Sequence, residues 1–247
     1  MLRLAVLLNG IEAGRVNPAE AEDAIRGQVH QVVDRDEVLG LGEVPSLRLA
    51  LAQVPRLSRA GWALALVSPG RLGGLRGPAV LNQRALAADP EPELGAVPVV
   101  LRHDGGFAWL AEYAIPAEES LDHEVINLTL LGAERPLSPA TPAEAGRALA
   151  SAMAEATEAL VQMALTAGER PRPAGTVALG GAYPHASQKL LDQAMTVLAI
   201  VEAARSQEAD LPHSHAVTTR AARLAPLRQA ALDAVQAAVS WPAHLMV

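Results

Sequence analysis

Val97-Pro98-Val99-Val100-Leu101-Arg102-His103-Asp104-Gly105-Gly106-Phe107-Ala108-Trp109-Leu110 reads as two apolar runs separated by an Asp-Gly turn. Asp and Gly accept the positive φ angles that a tight antiparallel turn demands, so the stretch predicts a β-hairpin with arms over 97–102 and 107–115. Upstream, Trp62-Ala63-Leu64-Ala65-Leu66-Val67 is a compact apolar run that stops at Ser68-Pro69-Gly70, which predicts a buried strand. Downstream, residues 124–131 are β-branched enough to form a fourth strand. A small sheet at the centre of the chain follows from these segments.

Everything around that centre reads as helix. Half of the 247 residues are hydrophobic, drawn mostly from Ala, Leu and Val, and only six are aromatic. Ala and Leu favour helix, whereas β-rich cores draw on aromatic and β-branched side chains. Leu4, Leu7, Leu8 and Ile11 recur at three- and four-residue spacing over 2–16, the spacing of one helix face. The apolar run here is too short for a signal-peptide core and lacks a cleavage site, so it reads as an ordinary buried helix. Asn17-Pro18-Ala19-Glu20 carries a capping box with Pro at the first helical position, and it opens a short helix to about Arg26. Ser46 caps a helix that Pro55 should kink or end, and Pro78 opens another to about Ala88. Thr141-Pro142-Ala143-Glu144 repeats the capping pattern before three long helices: one to about Thr166, one of about 20 residues from Pro184, and a last one of about 25 residues that carries Val217, Ala221, Leu224, Ala231 and Val235.

The fold class expected is therefore α+β and α-rich, with a small, mostly antiparallel central sheet, a helical N-terminus and long C-terminal helices. The Pro- and Ser-rich stretch 136–142 divides the chain into an α+β part, 1–135, and a helical part, 141–247, which can also form one continuous domain.

Composition excludes several chemistries. Without cysteine there is no disulfide, thiol nucleophile or cysteine-ligated metal. The seven histidines show no metal-ligand spacing: His213 and His215 are two apart, and Asp122-His123-Glu124 are consecutive and cannot converge on one ion. Ser68 and Ser187 lack the G-x-S-x-G setting of an activated serine. A formal net charge of −7 gives no global reason to bind nucleic acid, and the scattered aromatics offer no stacking platform. No segment has the uninterrupted apolar length of a membrane span, and the chain is expected in the cytoplasm. Arg220, Arg223 and Arg228 fall on the last helix, where they can stay solvated or pair with the more acidic N-terminal part.

The stretch that most resembles a binding site is Ser68-Pro69-Gly70-Arg71-Leu72-Gly73-Gly74-Leu75-Arg76-Gly77-Pro78. It follows a strand and precedes a helix. Glycines let backbone N–H groups converge, a helix N-terminus adds positive potential, and two arginines add charge. Gly70, Arg71, Gly73, Gly74, Arg76 and Gly77, with Asn82 one turn into the helix, form a candidate anion site. The spacing matches neither the Walker loop nor the dinucleotide fingerprint. The competing reading is an irregular surface loop whose glycines serve turn geometry.

The same stretch, continued through Ala79-Val80-Leu81-Asn82 into an Ala-rich helix and a hairpin, resembles an uncharacterised family of Ala/Arg-rich proteins from high-GC Gram-positive bacteria. The resemblance implies no activity, so it assigns no residue a role. Two classes of function stay open. One is a non-catalytic interaction or regulatory protein, associating as a homodimer through its C-terminal helices or with another protein. The other is a binder of, or enzyme acting on, an anionic or phosphorylated small molecule at 68–78. Neither requires a cofactor or a metal.

Overall fold

Two helices from opposite ends of the chain lie across one strand, and that arrangement organises the rest. The computed structural model describes residues 1–57, 60–113, 126–162, 177–206 and 214–246. In chain order the elements are α1 (Leu2–Glu12), α2 (Pro18–Ile25), β1 (Val29–Val33), α3 (Leu47–Leu57), β2 (Trp62–Val67), α4 (Ala79–Ala87), β3 (Val97–Arg102), β4 (Gly106–Tyr113), β5 (Ile126–Ala133), α5 (Pro142–Gln162), α6 (His185–Ser206) and α7 (Ser214–Ser240). The protein is α+β and helix-rich, with a helical start and long C-terminal helices.

The capping signals form as their chemistry requires. The Asn17 side chain accepts the N–H groups of Ala19 and Glu20, while the Glu20 carboxylate accepts the Asn17 N–H at 3.0 Å. Thr141 and Glu144 make the same reciprocal pair at the start of α5. Pro55 is the third-to-last residue of α3, and the helix ends two residues after it.

The sheet is mixed, with strand order β1-β5-β4-β3-β2. The β3–β4 hairpin turns at Asp104-Gly105, with Gly105 at φ +83° and Gly106 at φ +101°. β5 runs antiparallel to β4, and β1 joins the far side of β5 in parallel. β1 is an addition to the four strands read from the sequence. The ends of two expected strands, 114–115 and 124–125, lie outside the described residues.

Alternation along β2 sorts its side chains onto two cores. Trp62, Leu64 and Leu66 enter a large cluster shared with α1, α3, α5, α6 and α7. Ala63, Ala65 and Val67 enter a smaller cluster under α4 and the glycine-rich loop, with Leu75, Leu81 and Ala85. Large side chains such as Trp62, Trp109, Leu64 and Leu66 are essentially inaccessible. Each such burial contributes about 1.5–3 kcal/mol. The large core therefore draws on both the 1–135 part and the 141–247 part.

Helix α7 is the main cover of β2. From Ala231 to Ser240 only Asp233 among its side chains is more than about a tenth exposed. On α6, Leu191, Met195, Leu198 and Val201 are buried, as their spacing predicts. Leu149 and Ala156 of α5 are buried and Ala152 is half-buried, while Glu155 and Glu158 face solvent.

Candidate functional site

The glycine-rich loop closes on itself before it reaches α4. The Ser68 N–H donates to the Arg71 carbonyl at 2.9 Å, and the Arg71 N–H returns to the Ser68 carbonyl at 2.8 Å, around Gly70 at φ +80°. The Leu75 N–H then donates to Leu72 at 3.0 Å, placing Leu75 in the small core. Two loop carbonyls face the chain that leaves β5: Gly74 accepts from Leu137 N–H and Gly77 from Glu134 N–H, both at 2.9 Å.

Two of the glycines answer to packing. A side chain on Gly73, at φ +58°, would place its Cβ 2.6 Å from the Leu66 nitrogen, against the main chain of β2. One on Gly77 would meet the Glu134 carboxyl carbon at 2.8 Å. A carboxylate therefore sits beside the loop at the point where an anion was expected. Gly70, by contrast, has open space around it.

The charged groups separate. Arg71 reaches across to α7, and its Nη2 lies 2.8 Å from Asp233 Oδ1. Arg76 is exposed and makes no ion pair among the described residues. Asn82 bonds its backbone N–H to the Pro78 carbonyl at 3.2 Å, while its side-chain Oδ1 is buried with no hydrogen-bond partner among the described residues. The fold thus gathers Gly70, Arg71, Gly73, Gly74, Arg76 and Gly77 on one stitched loop, with Asn82 in the helix behind it.

The densest polar chemistry lies elsewhere, along the outer edge of β2. Asn9, fully buried in α1, donates from Nδ2 to the Trp62 carbonyl and accepts the Trp62 N–H on Oδ1, each at 2.9 Å. Its Nδ2 also donates to Tyr183 Oη at 2.8 Å, and Tyr183 donates in turn to the Val239 carbonyl at 2.8 Å. Further along the strand, the Leu64 N–H donates to Ser240 Oγ at 3.0 Å and the Leu66 N–H to Gln236 Oε1 at 2.7 Å. Burial raises the Tyr183 phenol well above its ordinary pKa, so it stays a neutral donor. A lone Asn within the apolar run from Leu4 to Ile11 is the sequence signal that marks this residue.

At the start of β2, His103 Nε2 meets the Ser240 carbonyl at 2.8 Å, and its ring lies 5.1 Å from that of Trp241. A carbonyl only accepts, so Nε2 carries the proton. Burial lowers the His103 pKa below the usual histidine value, against the raising effect of the Ser240 carbonyl and Asp104. Glu12 accepts the Gly61 N–H at 2.8 Å, and burial raises its carboxyl above the ordinary range. After β1, the buried Asp34 accepts Val38 N–H on one oxygen and Leu39 N–H on the other, both at 2.8 Å, and so braces a turn.

The remaining sequence candidates are scattered. Arg228 donates to Glu202 at 2.7 Å and to the carbonyls of Leu94 and Gly95, bolting α7 to α6 and to the loop before β3. Arg223 is exposed, as is His185 at the start of α6. Ser187 is buried and its hydroxyl has no partner among the described residues. Asp122, His123, Glu124 and His213 lie outside the described residues, as do the side chains of His215 and Arg220. No group of three potential metal-ligating side chains comes together among the described residues. Nor is any described helix long and apolar enough to cross a membrane.

Open hollows mark the surface formed by the described residues. One of about 470 Å3 is bounded by Ser68, Pro69, Leu86, Pro90 and Arg228. Two others, of about 200 and 500 Å3, flank the Met1 amino group, which is held by Glu91 at 2.6 Å.

No curated protein and no solved structure matches the chain. Residues 143–236, which fall within the 141–247 part, match the family model described as Rv1486c-like protein, C-terminal domain, in keeping with a resemblance to an uncharacterised family.

Proposed function

We propose that this chain is a non-catalytic interaction or regulatory protein of the bacterial cytoplasm, acting as a homodimer or with a protein partner. The observation that carries this reading is the use made of the buried polar side chains. Asn9, Tyr183, Gln236 and Ser240 seal β2, and Asp34 braces a turn. These groups hold the fold together, whereas a catalytic site leaves polar groups converging on a hollow that a substrate enters. The Ala- and Arg-rich composition suits a high-GC Gram-positive source, and the Pro-rich stretch 136–142 suits a two-part organisation.

One observation favours the second reading, a binder of an anionic or phosphorylated small molecule at 68–78. Arg76 is exposed beside the start of α4 without a carboxylate partner among the described residues. A thermal-shift panel of nucleotides, phosphosugars and acyl-CoA compounds separates the two, because a ligand that binds the native state raises its stability by RT ln(1 + [L]/Kd). The interaction reading expects no saturable shift. A saturable shift abolished by Arg76→Ala would overturn it in favour of the anion site.

A further inference from the structure

The two edges of the sheet are treated differently. The β2 edge is closed by side chains from α1 and α7. Among the described residues, nothing hydrogen-bonds to the outer edge of β1, whose inner edge alone pairs with β5. In a parallel pair, part of each edge strand's N–H and C=O groups point away from the partner. Edges left open are usually guarded by charge or proline, and Val29-His30-Gln31-Val32-Val33 carries neither.

We propose that β1 is an assembly edge, and that its occupant is β1 of a second copy, antiparallel across a two-fold axis at Gln31. The inference rests on the interaction reading above and moves the contact from the C-terminal helices to the sheet.

Three observations favour a second copy. First, among the described residues the apolar faces of α6 and α7 are largely buried inside one chain, which leaves little there for a partner. Second, the charges flanking β1 are complementary to themselves when reversed. Arg26, 60 % exposed, precedes the strand, and exposed Asp36 and Glu37 follow it on the turn that Asp34 braces. Antiparallel pairing about Gln31 brings each Arg26 to the partner's acidic turn. Arg26 already touches Glu22 and Asp23 on its own helix, and Arg35 leans to Glu43 at 3.7 Å, so these contacts set register more than affinity. Third, Val44 and Leu49 are 59 % and 55 % exposed. They lie on the segment whose Glu43 carbonyl takes the Asp34 N–H, and on α3, which packs against β1. Two copies would cover these side chains along with the edge, supplying apolar area that a five-residue strand lacks.

The chain contains no cysteine, so Gln31→Cys gives one thiol per molecule. Sedimentation of the unmodified chain across the micromolar range should show a species of twice 25.7 kDa. Mild oxidation should link Gln31→Cys into a covalent dimer and leave Ile200→Cys, on the exposed part of α6, unlinked. Val44→Asp with Leu49→Asp, at sites too exposed to unfold the chain, should weaken the dimer at least tenfold with an unchanged circular dichroism spectrum. Linkage at Ile200 but not at Gln31 would overturn the β1 contact and leave the interaction reading standing. A 25.7 kDa monomer at every concentration would also overturn it, even if β1 takes an extended segment of another protein. The thermal-shift panel tests the interaction reading separately.

Discussion

Asn9 meets Trp62 as a neighbouring strand would: its amide gives one hydrogen bond to the Trp62 carbonyl and takes one from the Trp62 N–H, both at 2.9 Å. One side chain thus replaces a residue of a missing sixth strand. Asn9→Leu keeps the helix and most of the volume but strands both main-chain groups in an apolar interior. Each unsatisfied buried group costs about 1–3 kcal/mol, so urea denaturation should show a loss of about 2–6 kcal/mol. A loss below about 1 kcal/mol would show that water replaces the amide there.

Gln236→Ala removes the acceptor for one N–H, that of Leu66. Its expected cost is about 1–3 kcal/mol. Ser240→Ala should behave alike through Leu64. The measured order, Asn9→Leu above either single acceptor, checks that the edge is sealed bond by bond.

The glycine-rich loop yields a paired comparison. Gly73→Ala strains a positive φ and drives Cβ into the Leu66 main chain, for a cost of about 2–5 kcal/mol. Gly70→Ala has the strain but open space, so about 1–2 kcal/mol is expected. Equal losses in thermal or urea unfolding would contradict the packing account of Gly73.

His103 should make stability pH-dependent. Burial lowers its pKa in the fold, so the folded chain binds fewer protons than the unfolded one and this contribution to stability rises with pH. It is complete above the ordinary value of 6.5 and is lost as pH falls below it. Urea midpoints between about pH 7.5 and about pH 5.5 should fall, and His103→Gln, which still offers a donor to the Ser240 carbonyl, should flatten that part of the curve.

Glu12 carries the opposite sign. Its carboxyl is raised by burial, so the charged form is disfavoured in the fold and protonation relieves it as pH approaches 4.5. Glu12→Gln keeps an oxygen for the Gly61 N–H and removes the charge. The variant should melt higher than the unmodified chain near neutral pH, with the difference shrinking in acid.

The sequence announced the parts whose causes are local. Asp104-Gly105 between apolar runs specifies a hairpin by its own φ preferences, and Asn17 with Glu20, or Thr141 with Glu144, specify helix starts within four residues. β1 escaped because its pairing is not local. Val29-His30-Gln31-Val32-Val33 is short and half polar, and it becomes a strand only beside β5, to which Val29 pairs at Ile126. The candidate loop was visible as a cluster of glycines, but glycine serves close packing and anion binding equally. Only the nearness of Gly73 to Leu66, and the reach of Arg71 to Asp233, reveal packing at work. Asn9 could be seen as an oddity in an apolar helix, yet its purpose depends on Trp62, 53 residues away.

Sealing one strand with a helix from the far end of the chain has a consequence for biosynthesis. The partners of Leu64 and Leu66 lie 176 and 170 residues downstream. A nascent chain emerging from the ribosome completes β2, β3 and β4 long before α7 exists. During that interval the strand offers bare N–H groups to any neighbouring polypeptide, a template for aggregation. Proteolytic removal of the segment that carries Gln236 and Ser240 would return the folded molecule to that adhesive state. Closure of the β2 edge therefore turns on α7, and the exposed interval lasts until Gln236 and Ser240 have been made.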